Sequence, residues 1–77
     1  MQRLEYSNHT LDIYLSGRVD AFELQVMQKR MYSIIEEYGI YNVQLHTGDS
    51  VNLTSNSLSW LEDDYRSNYH GNFKILD

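Results

Sequence analysis

The chain has 77 residues, 42% of them hydrophobic and 22% charged, which limits it to one small globular domain and excludes a disordered or membrane-spanning chain. It has no cysteine, which excludes a disulfide framework and a thiolate metal site and agrees with a reducing, cytoplasmic setting. Its net charge is −5 and its six basic residues are scattered, which argues against direct binding to nucleic acid, because that requires a basic patch.

A β-hairpin is predicted at the beginning of the chain. Residues 4–6 are a short strand candidate, residues 7–10 have turn chemistry, and residues 11–15 alternate apolar and mixed side chains at a period of two. Residues 16–19 interrupt this alternation. We therefore place the end of the second strand at Leu15.

A long helix is predicted next. Asp20 followed by Glu23 resembles a capping box, with Asp in place of the usual Ser or Thr, and Gly39 is a natural helix stop. Apolar residues recur between them at helical spacing, which predicts a buried face made of Phe22, Met27, Met31, Ile34, Ile35 and Tyr38.

The second half of the chain predicts a strand, a helix and a last strand. Residues 42–46 are the strand and residues 47–50 a loop. The helix is indicated by the spacing of Leu58, Leu61, Tyr65 and Tyr69, with Gly71 as its end, and residues 73–75 alternate in the last strand.

The element order is therefore ββαβαβ. Its two strand–helix–strand crossovers predict an α/β fold with a mixed, partly parallel sheet of four strands and two helices over residues 1–77. The side chains expected to face the core are Met27, Met31, Ile34, Ile35, Val43, Leu45, Leu58, Leu61, Phe73 and Ile75.

No arrangement of residues predicts an enzyme or a metal site. His46, Asp49 and Ser50 are ingredients of a hydrolase triad, which needs a base oriented by a carboxylate, a hydroxyl within reach and usually an oxyanion hole, but here all three lie within five residues of one loop. The histidines at positions 9, 46 and 70 lack the spacing of a zinc site. We expect no catalytic residue, no metal and no cofactor.

Residues 47–57 are the one unusual segment. They are dense in Thr, Ser and Asn and lead into a helix N-terminus, where free backbone N–H groups can hold an anion. Two interpretations stay open here. The segment is either ordinary loop and capping chemistry or a recognition loop.

Two motifs carry a family resemblance. Residues 15–20 read Leu-Ser-Gly-Arg-Val-Asp, and residues 53–58 read Leu-Thr-Ser-Asn-Ser-Leu. They resemble the Leu-Ser-Gly-Arg-Leu-Asp and Ile-Asp-Ser-Ser-Gly-Leu signatures of the STAS domain, named for sulphate transporters and anti-sigma factor antagonists. Residues 43–46 correspond to that family's buried strand ending in Asp-Leu-Ser. The resemblance implies a STAS-like fold and a protein-binding role.

The chain also departs from the family pattern. Anti-sigma factor antagonists of the family are phosphorylated by a partner kinase on the second serine of the later motif, and Asn56 occupies that position here. His46 and Thr54 replace acidic residues, and Ser57 replaces a glycine. Family members usually continue with another helix and strand. The resemblance thus implies a reduced STAS-like domain that lacks the phosphoswitch and keeps a binding role.

We interpret the chain as a non-catalytic, regulatory protein-interaction module that binds a partner through the loop and helix around residues 47–61. The residues expected to contact the partner are Asp49, Thr54, Ser55, Asn56 and Ser57. The alternative is a small acidic inhibitor or nucleic-acid mimic that presents carboxylates, such as those of residues 62–64, to a basic protein surface. Exposed strand edges are also compatible with a homodimer.

Overall fold

Six elements follow one another in the computed structural model, which describes residues 2–51 and 53–76. They are β1 (Gln2–Ser7), β2 (Thr10–Arg18), α1 (Ala21–Tyr38), β3 (Asn42–Val51), α2 (Ser55–Asn68) and β4 (Asn72–Leu76). This is the predicted order ββαβαβ. Asn52, which belongs to the predicted recognition loop, lies outside the described residues.

The four strands form one mixed sheet in the order β1-β2-β3-β4. β1 is antiparallel to β2, whereas the pairs β2–β3 and β3–β4 are parallel. The two crossovers step in the same direction, so both helices cover the same face of the sheet. The predicted α/β fold is confirmed, and the second face of the sheet is left open.

The core lies between the covered face of the sheet and the two helices. On β2 and β3, every second side chain points into it, as the period of a strand requires. The buried residues are Leu11, Ile13, Leu15, Val19, Leu24, Met27, Met31, Ile35, Ile40, Val43, Leu45, Leu61, Tyr65 and Phe73.

Most of the predicted core is confirmed, with one error. Seven of the ten predicted residues are buried, and Ile34 and Leu58 are partly buried against the core. Ile75 is 36% exposed, so its prediction is wrong. The reason is that β4 is an edge strand with a neighbour on one side alone.

Helix α1 begins and ends where its caps were predicted. The Asp20 carboxylate accepts a hydrogen bond of 2.8 Å from the Glu23 backbone N–H. Gly39 adopts the left-handed conformation with φ of 63°, and its N–H donates to the Ile35 carbonyl at 2.9 Å. Phe22 and Tyr38, however, are exposed, which corrects their predicted places on the buried face. Phe22 lies five residues before Met27, which is about 140° around the helix.

Two predictions are wrong in the C-terminal halves of β2 and β3, namely the end of β2 at Leu15 and the loop at residues 47–50. Both segments are strand, because Ser16 pairs with Asp49 and Arg18 with Val51. The register shifts just before this pairing, where Leu15 alone lies opposite two residues of β3. This bulge breaks the local alternation that marks a strand in the sequence.

Helix α2 ends earlier than predicted. Tyr69 is its C-cap, with extended backbone, and its N–H donates to the Tyr65 carbonyl at 2.8 Å. Gly71 therefore does not end the helix. A Cβ at this position would collide with the Tyr41 carbonyl and the Tyr65 hydroxyl, so Gly71 allows a close approach between segments.

Neither helix is long and apolar enough to cross a membrane.

Candidate protein-interaction site

The N-terminus of α2 uses part of the predicted recognition segment for capping. The Thr54 hydroxyl accepts a hydrogen bond of 3.2 Å from the Ser57 backbone N–H and donates to the Ser57 hydroxyl at 3.0 Å. The capping interpretation therefore holds for these two side chains. Ser55 and Asn56 lie in the first turn of the helix and are exposed.

A groove of about 280 Å³ lies between the first turns of the two helices. Asn56, Ser57 and Trp60 line it from α2, and Ala21, Leu24 and Gln25 line it from α1. The helices run in the same direction, because each connects two parallel strands, and this brings their first turns together.

Exposed apolar side chains lie in the groove and on the adjacent helix turns. Trp60 is 43% exposed, and Phe22, next to Ala21 on α1, is 75% exposed. Val26 follows one turn after Phe22 and is also exposed. We refer to the residues of the groove together with these neighbours as the helix-start surface, which consists of Ala21, Phe22, Leu24, Gln25, Val26, Asn56, Ser57 and Trp60.

A hydrogen-bonded cluster fixes the distance between the helices. The Tyr32 hydroxyl donates to the Asp64 carboxylate, and the Gln28 side-chain amide donates to the same oxygen at 2.7 Å. Burial, and then the hydrogen bond with Asp64, raises the pKa of Tyr32 well above its ordinary value. The neutral hydroxyl is therefore held as a donor, and the cluster joins α1 to α2 beyond the groove.

The acidic run at residues 62–64 does not form one uniform face. Asp64 belongs to the cluster between the helices, and Glu62 lies 3.9 Å from the Arg66 guanidinium one turn later. Asp63 is exposed. The three carboxylates therefore have different surroundings.

Asp49 is the one predicted contact residue that lies away from the others. It lines a separate cavity of about 640 Å³ on the open face of the sheet, beside Arg3, Tyr14 and His46. The Arg3 guanidinium lies 4.5 Å from the centre of the Tyr14 ring, and Tyr14 stacks on His46 at 4.3 Å. The structure thus brings Thr54, Ser55, Asn56 and Ser57 together but not Asp49.

Of the three triad-like residues, His46 and Ser50 each contact a residue outside the set. His46 Nε2 is 3.0 Å from Asp12 Oδ1 on the neighbouring strand. The Ser50 hydroxyl donates to the Thr47 carbonyl at 2.7 Å. In the described part of the chain, no group of three histidine or carboxylate side chains is arranged to hold a metal ion.

Two functional candidates were missed in the sequence, namely Phe22 and Trp60. Phe22 was assigned to the buried face, and Trp60 was given no role. The helical spacing itself carried a signal, because Trp60 is two residues from Leu58 and therefore lies off the row of Leu58, Leu61 and Tyr65.

Comparisons with known proteins identify the fold of the chain, but they do not assign it to a family by sequence. No protein-family model matches the chain, and no curated protein is significantly similar to it. Among solved structures, the chain is similar to the anti-sigma factor antagonist SpoIIAA in its unphosphorylated form. The TM-score is 0.81 and the identity 15%, over 100% of this chain and 73% of SpoIIAA.

A second similar structure is the crystal structure of the protein Mglu. The TM-score is 0.76 and the identity 10%, over 97% of this chain and 19% of Mglu. At these identities the comparisons establish the fold and not the activity. The chain has the fold of an anti-sigma factor antagonist, which confirms the STAS-like architecture that the two sequence motifs predicted.

Proposed function

We propose that the chain is a non-catalytic regulatory module that binds a partner protein through the helix-start surface. The observation that carries this proposal is the exposed Trp60 in a groove at the first turns of two helices, together with the exposed Phe22 on the first turn of α1. Exposed aromatic residues next to a groove are typical anchors of protein interfaces. In this proposal residues 1–77 form one STAS-like domain that acts in the cytoplasm.

The similarity to SpoIIAA supports the same class of function. SpoIIAA is an anti-sigma factor antagonist, and an antagonist of this kind acts on another protein. Under the STAS resemblance, Asn56 stands at the phosphorylated serine, and it lies exposed in the groove. Since an asparagine cannot be phosphorylated, the chain is competent to bind without a kinase switch at this position.

The distribution of carboxylates favours this proposal over an acidic inhibitor. Acidic residues of the described chain lie on the open face of the sheet, at both ends of α1 and along α2. An inhibitor that imitates nucleic acid needs its negative charges on one surface. Asp12 and Glu62 also lie beside cationic or potentially cationic partners.

The substitution Asn56→Asp tests the proposal. It places a negative charge at the N-terminus of α2, where the helix dipole stabilises it by about 0.3–1 kcal/mol, so the melting temperature should not fall. The same charge in a groove that excludes water upon binding lacks a counterion and should weaken the complex. The partner is first recovered with the tagged wild-type chain, and affinities are then measured by calorimetry.

Two further variants sharpen this test. Ser33→Asp adds the same charge at an exposed position in the second half of α1, away from the groove, and should not weaken the complex. Trp60→Ser should weaken binding by roughly tenfold or more if Trp60 is an anchor. If Asn56→Asp and Trp60→Ser both bind the partner as wild type does, the helix-start surface is not the interface. The acidic-inhibitor alternative would then be preferred.

A further inference from the structure

The end of the molecule opposite the helix-start surface carries a second group of exposed aromatic side chains. Tyr6 at the end of β1 and Tyr38 at the end of α1 are about half exposed, and their rings stack with centres 4.4 Å apart. Tyr41, in the segment before β3, is 69% exposed. We refer to these residues and two adjacent glutamates as the tyrosine surface, which consists of Tyr6, Glu36, Glu37, Tyr38 and Tyr41.

Two shallow cavities lie beside these rings and share Ile40 as a lining residue. One, of about 360 Å³, contacts Tyr6 and Tyr38, and the other, of about 180 Å³, contacts Glu36 and Tyr41. The tyrosine surface is therefore continuous around Ile40, and it offers both aromatic faces and indentations to a partner.

The segments that form this end of the molecule contain acidic residues but no permanently basic ones. The segments 6–10, 36–42 and 69–72, which form it, contain four tyrosines, two histidines and two glutamates but neither lysine nor arginine. Two arginines of the neighbouring helices have partners elsewhere. Arg30 donates to the Gln2 side chain at 3.3 Å, and Arg66 lies beside Glu62.

The two glutamates lie at an electrostatically unfavourable position. Glu36 and Glu37 lie in the last turn of α1, where the helix dipole is negative, and this turn has no basic residue. The hydrogen bond with Tyr6 raises the pKa of Tyr38, and the Glu37 carboxylate raises it further. A cation bound here would stabilise both the carboxylates and the end of the helix.

We propose that the tyrosine surface binds an arginine-bearing segment of a partner protein. A guanidinium group stacks on tyrosine rings and donates hydrogen bonds in its plane to a carboxylate, and it gives up water more readily than an ammonium group. Exposed tyrosines beside the carboxylates of Glu36 and Glu37 match this chemistry better than they match an apolar helix or an acidic peptide. This surface is separate from the helix-start surface, so the molecule has two interfaces at opposite ends.

The probe that tests this proposal is a synthetic hexa-arginine peptide, titrated into the isotope-labelled chain and followed by NMR. Saturable shifts are expected at the tyrosine surface and in the segments 6–10 and 36–42. A hexa-citrulline peptide, which is neutral and of the same shape, should cause none. Shifts spread evenly over all carboxylates of the molecule would show attraction by net charge alone and would overturn the proposal.

Variants separate the contributions of the rings and the carboxylates. Tyr41→Ser and Glu37→Gln should each weaken hexa-arginine binding by roughly two- to fivefold. Tyr41→Ser leaves the backbone carbonyl of residue 41, which accepts from the Tyr65 hydroxyl and the Asn72 N–H, in place, so the fold should be retained by circular dichroism. Phe22→Ser, at the opposite end, is the matched control and should bind hexa-arginine as tightly as wild type does.

Two outcomes contradict the proposal outright. Either both variants bind hexa-arginine as tightly as wild type, or hexa-lysine binds as tightly as hexa-arginine. Neither result bears on the helix-start surface, because that surface is tested with Asn56→Asp and Trp60→Ser against a recovered partner.

Discussion

Tyr32 is the residue on which the alignment of the two helices depends most directly. Its hydroxyl is held neutral by burial and by the Asp64 carboxylate, so its pKa in the folded chain is raised. In the unfolded chain a tyrosine ionises near pH 10. Above that pH the unfolded state gains stability that the folded state does not, so the free energy of unfolding should fall as pH rises.

The substitution Tyr32→Phe tests this dependence. At pH 7 it should lower the free energy of unfolding by about 1–2 kcal/mol, because Asp64 loses a donor. Between pH 10 and pH 12, however, the variant should lose less stability than wild type. Urea unfolding across this range provides the measurement, with Tyr41→Phe as an exposed control. Equal alkaline losses in Tyr32→Phe and wild type would contradict the assigned role.

Gly71 is a residue whose role comes from a distant part of the chain. Gly71→Ala should lower the free energy of unfolding by about 2–4 kcal/mol, since the new Cβ separates the Tyr65 hydroxyl from the Tyr41 carbonyl, which are 3.2 Å apart. Gly39→Ala, where the backbone is left-handed but the surroundings are open, should cost about 1 kcal/mol. Equal losses of the two variants in urea unfolding would contradict the role assigned to the close contacts of Gly71.

At the scale of elements, β3 is one of the two central strands of the sheet, and its Leu45 is fully buried in the core. Leu45→Ala should lower the free energy of unfolding by about 2–5 kcal/mol. Ile75→Ala, on the edge strand, removes a side chain that is already partly in water and should cost clearly less. Thermal and urea unfolding of both variants provide the check, and a small loss for Leu45→Ala would contradict its place in the core.

Local sequence patterns predicted all six elements but not all of their ends. The apolar spacing of Met27, Met31 and Ile35 is a local property, and so are the caps at Asp20 and Gly39. The second half of β3 is polar, and it is a strand because it pairs with residues 16–18 of β2. That pairing connects segments far apart in the chain, so no local alternation could reveal it.

The candidate site, like the elements, could be predicted from the sequence only in part. Thr54 and Ser57 were identified as residues of a helix start, and capping is local chemistry. The groove was not predictable, because it exists only where α1 and α2 pack side by side on one face of the sheet. For the same reason, local patterns do not reveal that Phe22 and Trp60 lie near the starts of two neighbouring helices, or that Asp49 lies elsewhere.

At the scale of the whole molecule, the sheet has two exposed edges, β1 and β4. A homodimer formed by pairing of such edges stays a prediction. Sedimentation at several concentrations would test it, and Lys74 in the middle of β4 is the residue expected to disfavour pairing there, because a charged side chain on an edge strand opposes it.

The distribution of charge over the molecule leads to the last prediction, that duplex DNA binds weakly or not at all. The six basic residues lie on β1, β2, α1, α2 and β4, and two of them are already beside carboxylates, namely Arg3 at 3.1 Å from Glu5 and Arg66 near Glu62. Phosphate binding draws its free energy from counterions released by several clustered cations. Here a duplex would meet scattered cations and a net charge of −5.

Fluorescence anisotropy of a labelled duplex, at about 50 mM and 200 mM salt, tests this prediction. No saturable binding is expected at either salt concentration. The matched control is a variant in which Glu5 and Glu62 are replaced by Gln, which frees Arg3 and Arg66 and should raise only the weak, salt-sensitive attraction at the lower concentration. A sub-micromolar complex of the wild-type chain that weakens steeply with salt would contradict the argument, because it would require a basic surface that the arrangement of these six residues does not provide.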